Sequence, residues 1–140
     1  MKYQVLYFTR TENSKRVAKK IADSLNVSLI EIKDDKNWHG LFGYIKAGFY
    51  STANRKVKIT LSDPLNTYDQ LIVVGPLWAG GAAPALRTFF ETYPKEKTHL
   101  VVTSIGSKIK QRGQYLSVTD IIQREENEDM MIKHLVDNLK

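Results

Sequence analysis

Cysteine is absent from the 140-residue sequence. Without thiols the chain cannot form disulfides, use a cysteine nucleophile, bind zinc through thiolates or hold a cysteine-ligated iron–sulfur cluster. The three histidines, His39, His99 and His134, are scattered and lack the spacing of metal ligands. We therefore expect no metal site and interpret each histidine as structural or solvated.

Long apolar runs are also missing. No stretch approaches the roughly 20 apolar residues that are needed to cross a bilayer. Residues 1–8 lack the long apolar segment and small-residue cleavage site of a signal peptide. These absences predict a cytoplasmic protein with no membrane span.

The charge is unbalanced, because 21 Lys and Arg residues face 15 Asp and Glu residues and give a formal net charge of +6. A positive balance can attract nucleic acid, anionic lipid or an acidic protein. The basic residues, however, lie in separate runs at 15–20, 56–58 and 108–112. This spacing favours solvated faces and loops, and nucleic-acid binding would depend on charge alone.

What is present is an alternation of strand and helix patterns within the length of one domain, 1–140. Five segments predict strands: 2–8, 27–32, 71–74, 100–105 and 115–122. Residues 2–8 have the nearly continuous apolar character of a strand that is buried on both faces of a parallel sheet, and 71–74 is also predicted as a buried strand. Apolar residues at three- and four-residue spacing over 17–25 predict a helix between the first two strands, and further helices are predicted after Pro84 and from about Asn127.

Two segments depart from this regular alternation. Only about ten residues link the fourth and fifth strands, which is fewer than a helical crossover normally takes, so this helix is expected to be shortened or absent. Residues 33–68 are weakly patterned and predict a short helix or a functional excursion, with an aromatic segment at 38–50. Within them, residues 57–61 alternate and predict a short edge-like strand.

Three segments, 9–14, 76–82 and 103–108, follow predicted strands and together are rich in hydroxyls, amides and glycines with few acids. Ligands of open α/β sheets bind beyond the carboxyl ends of such strands. Thr9, Thr11, Asn13 and Ser14 place uncharged donors at the start of a helix, where backbone amides and the helix dipole favour an anion. A plain helix cap by Thr11 or Ser14 is the alternative interpretation.

Residues 9–14, Thr-Arg-Thr-Glu-Asn-Ser, resemble the phosphate loop of flavodoxins, whose pattern is Thr/Ser-x-Thr-Gly-x-Thr/Ser. Residues 68–80, with Gly75-Pro76-Leu77-Trp78, resemble the third strand and second flavin loop of the same family. The resemblance implies a three-layer flavodoxin-like sandwich with a five-stranded parallel sheet of order 2-1-3-4-5. It also implies FMN as cofactor and a role in electron transfer, as a carrier or as a small FMN-dependent reductase.

Carried over by position, the resemblance implies that the FMN phosphate is bound by Thr9, Thr11, Asn13 and Ser14. It also implies that Trp78 packs against the isoalloxazine ring. Arg10 could reach the phosphate or lie in solvent. The full set of expected FMN-binding residues is Thr9, Arg10, Thr11, Asn13, Ser14, Pro76, Leu77, Trp78, Ala79, Gly80, Gly81, Ser104, Ile105 and Gly106. The expected partners are a redox protein or a small electron acceptor, and the short fourth crossover favours a homodimer.

Three features depart from the family pattern. Glu12 stands where the family has glycine, which predicts backbone strain at a positive φ and repulsion of a phosphate unless the carboxylate points to solvent. The loop after the fourth strand has no aromatic residue to cover the second face of a flavin, and the chain is basic whereas flavodoxins that shuttle electrons are generally acidic. The alternative function is therefore a binding module of the same fold that has lost FMN and binds another anionic ligand or a protein.

Other classes lack their required residues. A phospho-receiver needs an acidic cluster after the first strand and an aspartate at the end of the third, where this chain has Thr9 and Gly75-Pro76. A tyrosine phosphatase needs a cysteine, and a dinucleotide-binding fold needs a glycine-rich turn after the first strand.

Overall fold

The computed structural model describes residues 1–8, 12–34, 58–65, 67–78, 81–110 and 112–139, with the backbone alone at positions 78, 81 and 82. The predicted aromatic segment 38–50 lies outside these residues. The elements are β1 (Tyr3–Tyr7), α1 (Asn13–Leu25), β2 (Leu29–Asp34), β3 (Ile59–Leu61), β4 (Gln70–Trp78), β5 (Gly81–Ala82), α2 (Pro84–Thr92), β6 (Thr98–Ser104), β7 (Ser117–Ile122) and α3 (Glu128–Leu139), with 3₁₀ turns at Lys95–Lys97 and Gln123–Glu125.

The strands form one mixed sheet in the order β3-β2-β1-β4-β6-β7, and the two-residue β5 pairs with the end of β4. The pairs β2–β1, β1–β4, β4–β6 and β6–β7 are parallel. Strand β3 is antiparallel to β2, and β5 is antiparallel to β4. The prediction of a five-stranded sheet of order 2-1-3-4-5 was therefore wrong in strand number and in the full order. The difference arises at the edge, where the alternating segment that includes residues 59–61 pairs with β2.

Alternate residues of the central strands bury opposite faces of the sheet, which explains their continuous apolar character. On one face Leu6 and Val73 pack in a cluster with Leu86 and Phe89 of α2. On the other face the cluster is completed by α1 and α3. The described helices thus lie on both sides of the sheet. The link between β6 and β7 lies on the same side as α2, because its Ile109 belongs to the cluster that contains Leu86 and Phe89.

The link between β6 and β7 contains no helix in its described residues, 105–110 and 112–116, as its length predicted. It is held on the sheet by Asp120, a buried carboxylate of β7. Asp120 accepts hydrogen bonds from the Ile109 amide at 3.1 Å and from Arg112 Nη1 at 2.6 Å. The Ile109 side chain is itself buried, so the link covers part of the apolar sheet face.

The outer side of the edge strand β7 is bonded to side chains. Asn127 Nδ2 donates to the Asp120 carbonyl at 3.2 Å, and Asn127 Oδ1 accepts from the Ile122 amide at 2.8 Å. Arg112 Nη2 reaches the Val118 carbonyl at 3.5 Å. Three backbone groups of this strand are therefore already occupied.

Helices α1 and α3 are joined by a charge cluster that consists of Arg16, Lys20, Glu128 and Asp129. Arg16 forms two hydrogen bonds to the Glu128 carboxylate, at 2.7 and 3.2 Å, and Lys20 Nζ lies 2.7 Å from the same carboxylate. Lys20 also contacts Asp129 at 2.9 Å. Part of the predicted basic run 15–20 thus ties two elements together rather than facing solvent alone.

Among the described helices, none is long and apolar enough to span a bilayer.

Candidate functional site

The carboxyl ends of β1, β4 and β6 lie side by side, because β4 pairs with β1 on one side and with β6 on the other. From β1 the chain moves to β2 on one flank and later to β4 on the opposite flank. Such a reversal of direction marks where open parallel sheets bind ligands. The three segments predicted to bind a ligand begin at or near the carboxyl ends of these three neighbouring strands.

In the first segment, Thr9, Arg10 and Thr11 lie outside the described residues. Asn13 and Ser14, predicted at the start of a helix, are the first two residues of α1. The Asn13 carboxamide oxygen accepts a hydrogen bond from Arg16 Nη1 at 2.9 Å. The Ser14 side chain turns inward, since the residue is only 1% exposed, and its hydroxyl lies 2.9 Å from that of Thr103 in β6.

Glu12 immediately precedes α1 and has the left-handed conformation that the resemblance predicted, with φ at 69°. Its side chain does not cap the first turn of the helix. The side chain is instead 75% exposed, and its carboxylate lies 3.8 Å from Lys15 Nζ. The carboxylate therefore points to solvent, and the first turn of α1 is not blocked by it.

The second segment differs from the sequence interpretation. Gly75-Pro76 was expected to end the strand, but β4 continues to Trp78 and turns back into β5, with Trp78 paired to Gly81. Proline is tolerated because β1 accompanies β4 only as far as Val74, so one side of the ladder needs no further donor. Pro76 and Leu77 are half-buried residues of β4, while Ala79 and Gly80 lie outside the described residues.

The third segment begins with a tight turn at the end of β6. The Ser104 hydroxyl donates to the Ser107 carbonyl at 2.6 Å, and the Ser107 amide approaches the same hydroxyl at 3.3 Å. The Ile105 side chain is 62% exposed at this turn. A Cβ at Gly106 would lie 3.2 Å from Arg124 Cδ, so the turn is packed against the residues after β7.

Thr103 is the residue that sequence reasoning did not single out, although it fell within the predicted segment 103–108. It is 8% exposed, bonds Ser14, pairs with Pro76 of β4 and precedes Ser104. It therefore touches or adjoins all three segments. The only signal in the sequence was a hydroxyl residue at the end of the buried run Leu100-Val101-Val102.

Electrostatically, this edge combines the helix terminus with few acidic side chains. Tyr7, the last residue of β1, has its pKa raised by burial and further by the negative charges of Glu31 and Glu12. Its phenol therefore stays neutral at physiological pH. The arrangement offers hydroxyl and amide donors and the exposed cation of Lys15, a set that suits an anionic ligand.

Two cavities lie elsewhere, at the amino-terminal edge of the strands. One, of about 560 Å³, is lined by residues that include Lys2, Gln4 and Ser28. The other, of about 520 Å³, is lined by Phe90, Tyr93 and neighbouring residues. Neither is lined by a predicted site residue, and both lie opposite the edge at which such folds bind ligands.

The fold is shared with solved flavoproteins. A flavoprotein from Lactobacillus acidophilus NCFM, crystallised in complex with FMN, matches with a TM-score of 0.65 and 20% identity over 93% of this chain and 97% of its own. A protein from Bacteroides eggerthii DSM 20697, provisionally assigned as a flavoprotein, matches with a TM-score of 0.68 and 21% identity over 98% and 96%. A third protein, from Bacteroides uniformis ATCC 8492 and assigned in the same way, matches with a TM-score of 0.58 and 18% identity over 92% of this chain and 96% of its own.

This chain has the fold of these flavoproteins. The resemblance predicted from the two loop motifs is thereby confirmed at the level of the fold. No protein-family model matches the chain, and no curated protein sequence matches it significantly.

Proposed function

We propose that the chain binds FMN at the carboxyl edge of its sheet and transfers electrons, as a carrier or as a small FMN-dependent reductase. The observation that carries this proposal is the adjacency of the carboxyl ends of β1, β4 and β6, where the three predicted flavin segments begin, in a fold shared with a flavoprotein crystallised with FMN. FMN supplies reversible electron transfer when it is bound.

The described residues fit a flavin phosphate at the first turn of α1. The helix start is not capped by Glu12, whose carboxylate is turned toward Lys15 and solvent. Backbone amides at such a terminus, reinforced by the helix dipole, stabilise a phosphate. Thr9, Thr11 and Asn13 are proposed to add side-chain donors. The resemblance implies the same role for Ser14, but the Ser14 hydroxyl bonds Thr103.

The ring of the flavin is proposed to lie between the end of β4 and the turn after β6. Trp78, at the end of β4, would pack against one face, with residues 79–81 beside the ring. The amides of residues 104–106 would meet its polar edge, and the exposed Ile105 side chain adds apolar surface there. Since these groups carry no negative charge, the site favours an aromatic ring joined to an anion over a cationic ligand.

The proposal predicts that the purified protein, alone or after addition of FMN, shows flavin absorption in the visible blue. Trp78→Ala should weaken FMN binding about two- to tenfold, the range that aromatic stacking supplies, and should brighten the fluorescence of bound flavin. Trp78→Phe is the matched control and should retain most of the affinity. Fluorescence titration measures the Kd for FMN of the wild type and of both variants.

A colourless protein that gives no heat on titration with FMN would contradict the proposal. It would leave the alternative of a binding module for another anionic ligand or a protein, which Glu12 in place of the family glycine favours. Unchanged FMN binding in Trp78→Ala would mean that the ring binds elsewhere. The electron donor and acceptor, whether a protein or a small molecule, follow from turnover assays on the FMN-loaded protein.

A further inference from the structure

Ser14 and Thr103 are 89 positions apart in the sequence, yet their hydroxyl oxygens are 2.9 Å apart in the protein interior. Ser14 belongs to the first turn of α1, at the phosphate end of the proposed site. Thr103 immediately precedes the turn 104–107, which is proposed to meet the ring. One buried hydrogen bond therefore joins the two ends of the site.

The Ser14 side chain points into the protein interior, which indicates that its hydroxyl has a structural role. A serine that served only as a phosphate ligand would present its hydroxyl to the ligand, but Ser14 is 1% exposed and its hydroxyl is engaged by Thr103. Breaking this bond would leave a buried hydroxyl without a partner, which costs free energy. The two side chains are therefore held together. The first turn of α1 is thus fixed against the end of β6.

Thr103 is also fixed from its other sides. It pairs with Pro76 of β4 and with Ile121 of β7 in the parallel sheet, so it cannot shift without the strands on both sides. Arg16, two residues after Ser14, is held by Glu128 of α3. The start of α1 is therefore anchored to two rigid elements, and Thr103 is the anchor that lies beside the proposed ring position.

We propose that Thr103 is a positioning residue which, through Ser14, sets the distance between the phosphate end and the ring end of the FMN site. This inference rests on the proposed function. A ligand that reaches both ends gains affinity from their fixed spacing, because no ordering is needed when it binds. A ligand without the phosphate uses only the ring end and gains nothing from the bond.

The test compares FMN with riboflavin, which has the same ring but no phosphate. In Thr103→Val, which keeps the shape but loses the hydroxyl, the Kd for FMN should rise about fivefold, as loss of one ordinary hydrogen bond predicts, while the Kd for riboflavin should not change. Thr103→Ser restores the hydroxyl and should restore the wild-type ratio of the two affinities. Both ligands are titrated by flavin fluorescence.

A second pair of variants keeps the inference falsifiable if Thr103→Val lowers stability. Ser14→Ala should raise the FMN Kd by the same factor, and the double variant Ser14→Ala/Thr103→Val, which leaves no unpaired hydroxyl, should raise it no further. All variants are titrated at a temperature at which circular dichroism shows them folded.

Equal losses for FMN and riboflavin would overturn the inference, since the bond would then support only the general fold. A loss in Ser14→Ala much larger than in Thr103→Val would also overturn it, because Ser14 would then act on the phosphate directly. Failure of the wild-type protein to bind either flavin would instead contradict the proposed function, so the two failures are distinguishable.

Discussion

At the scale of single residues, Glu12 is the position where the sequence and the backbone disagree most. A side chain at φ 69° is disfavoured, because only glycine adopts this conformation without steric cost. The carboxylate gains little in return, since its contact with Lys15 is 3.8 Å long and both groups are largely exposed. The position is therefore held by the backbone at the start of α1, where the Glu12 carbonyl accepts a hydrogen bond from the Arg16 amide at 3.0 Å, and not by the side chain.

Replacing Glu12 by glycine is expected to raise the free energy of unfolding by about 1 kcal/mol, as relief of strain exceeds the added flexibility of the unfolded chain. Glu12→Gln keeps the strain and should leave stability within about 0.5 kcal/mol of the wild type. Urea denaturation of the three proteins measures the difference. Equal stability of the glycine and glutamine variants would show that the turn carries no strain at this residue.

At the scale of elements, the packing of α2 on β4 depends on Gly75. A Cβ at this position would overlap Cδ1 of Leu86, a fully buried residue of α2, and would lie 3.2 Å from its Cγ. Glycine thus lets the helix approach the strand directly below the segment that carries Trp78. The sequence interpretation took Gly75 as the end of the strand, whereas it is a close-contact position within it.

Gly75→Ala is expected to lower the free energy of unfolding by about 1–3 kcal/mol, the usual cost of extra volume in a packed core. Gly113→Ala is the matched control, because a Cβ there meets no atom within 4 Å. The control should be neutral or slightly stabilising. Thermal unfolding followed by circular dichroism gives both values, and similar melting temperatures for the two variants would contradict the packing role of Gly75.

The elements show what a sequence can predict and where it stops. Continuous apolar runs predicted β1, β4 and β6 because both faces of these strands are buried, and helical spacing predicted α1 and α3. The positive φ of Glu12 was predictable because the family has glycine there. The extension of β4 through Pro76 was not, since it depends on which neighbour continues beside the strand. The bond between Ser14 and Thr103 was not predictable either, because neither side chain carries any local sign of a partner so distant in the sequence.

At the scale of the whole molecule, α1 and α3 are joined through Glu128. The hydrogen bond from Arg16 and, after it, that from Lys20 lower the pKa of Glu128 from 4.5 to about 2, against the opposing effect of partial burial. A lowered pKa in the folded protein means that the unfolded chain binds more protons in this range. The stabilisation is therefore complete above pH 4.5 and is lost as the pH falls toward 2.

Glu128→Gln should therefore lower stability by about 1 kcal/mol at pH 7, a value reduced for solvent screening, and the difference from the wild type should shrink as the pH falls from 4.5 toward 2. Glu125→Gln removes the same charge from a residue that forms no ion pair among the described parts of the chain. It should change stability less at neutral pH. Urea midpoints at several pH values test this, and a constant difference across the range would rule out the ion pairs as its source.

The occupied outer side of β7 restricts edge-to-edge pairing with another strand. A strand that arrived from a second molecule would have to displace Asn127 and Arg112 before it could form its own ladder. Continuous growth of the sheet from molecule to molecule is thereby opposed at this border. A homodimer of this chain would consequently not extend its sheet through β7.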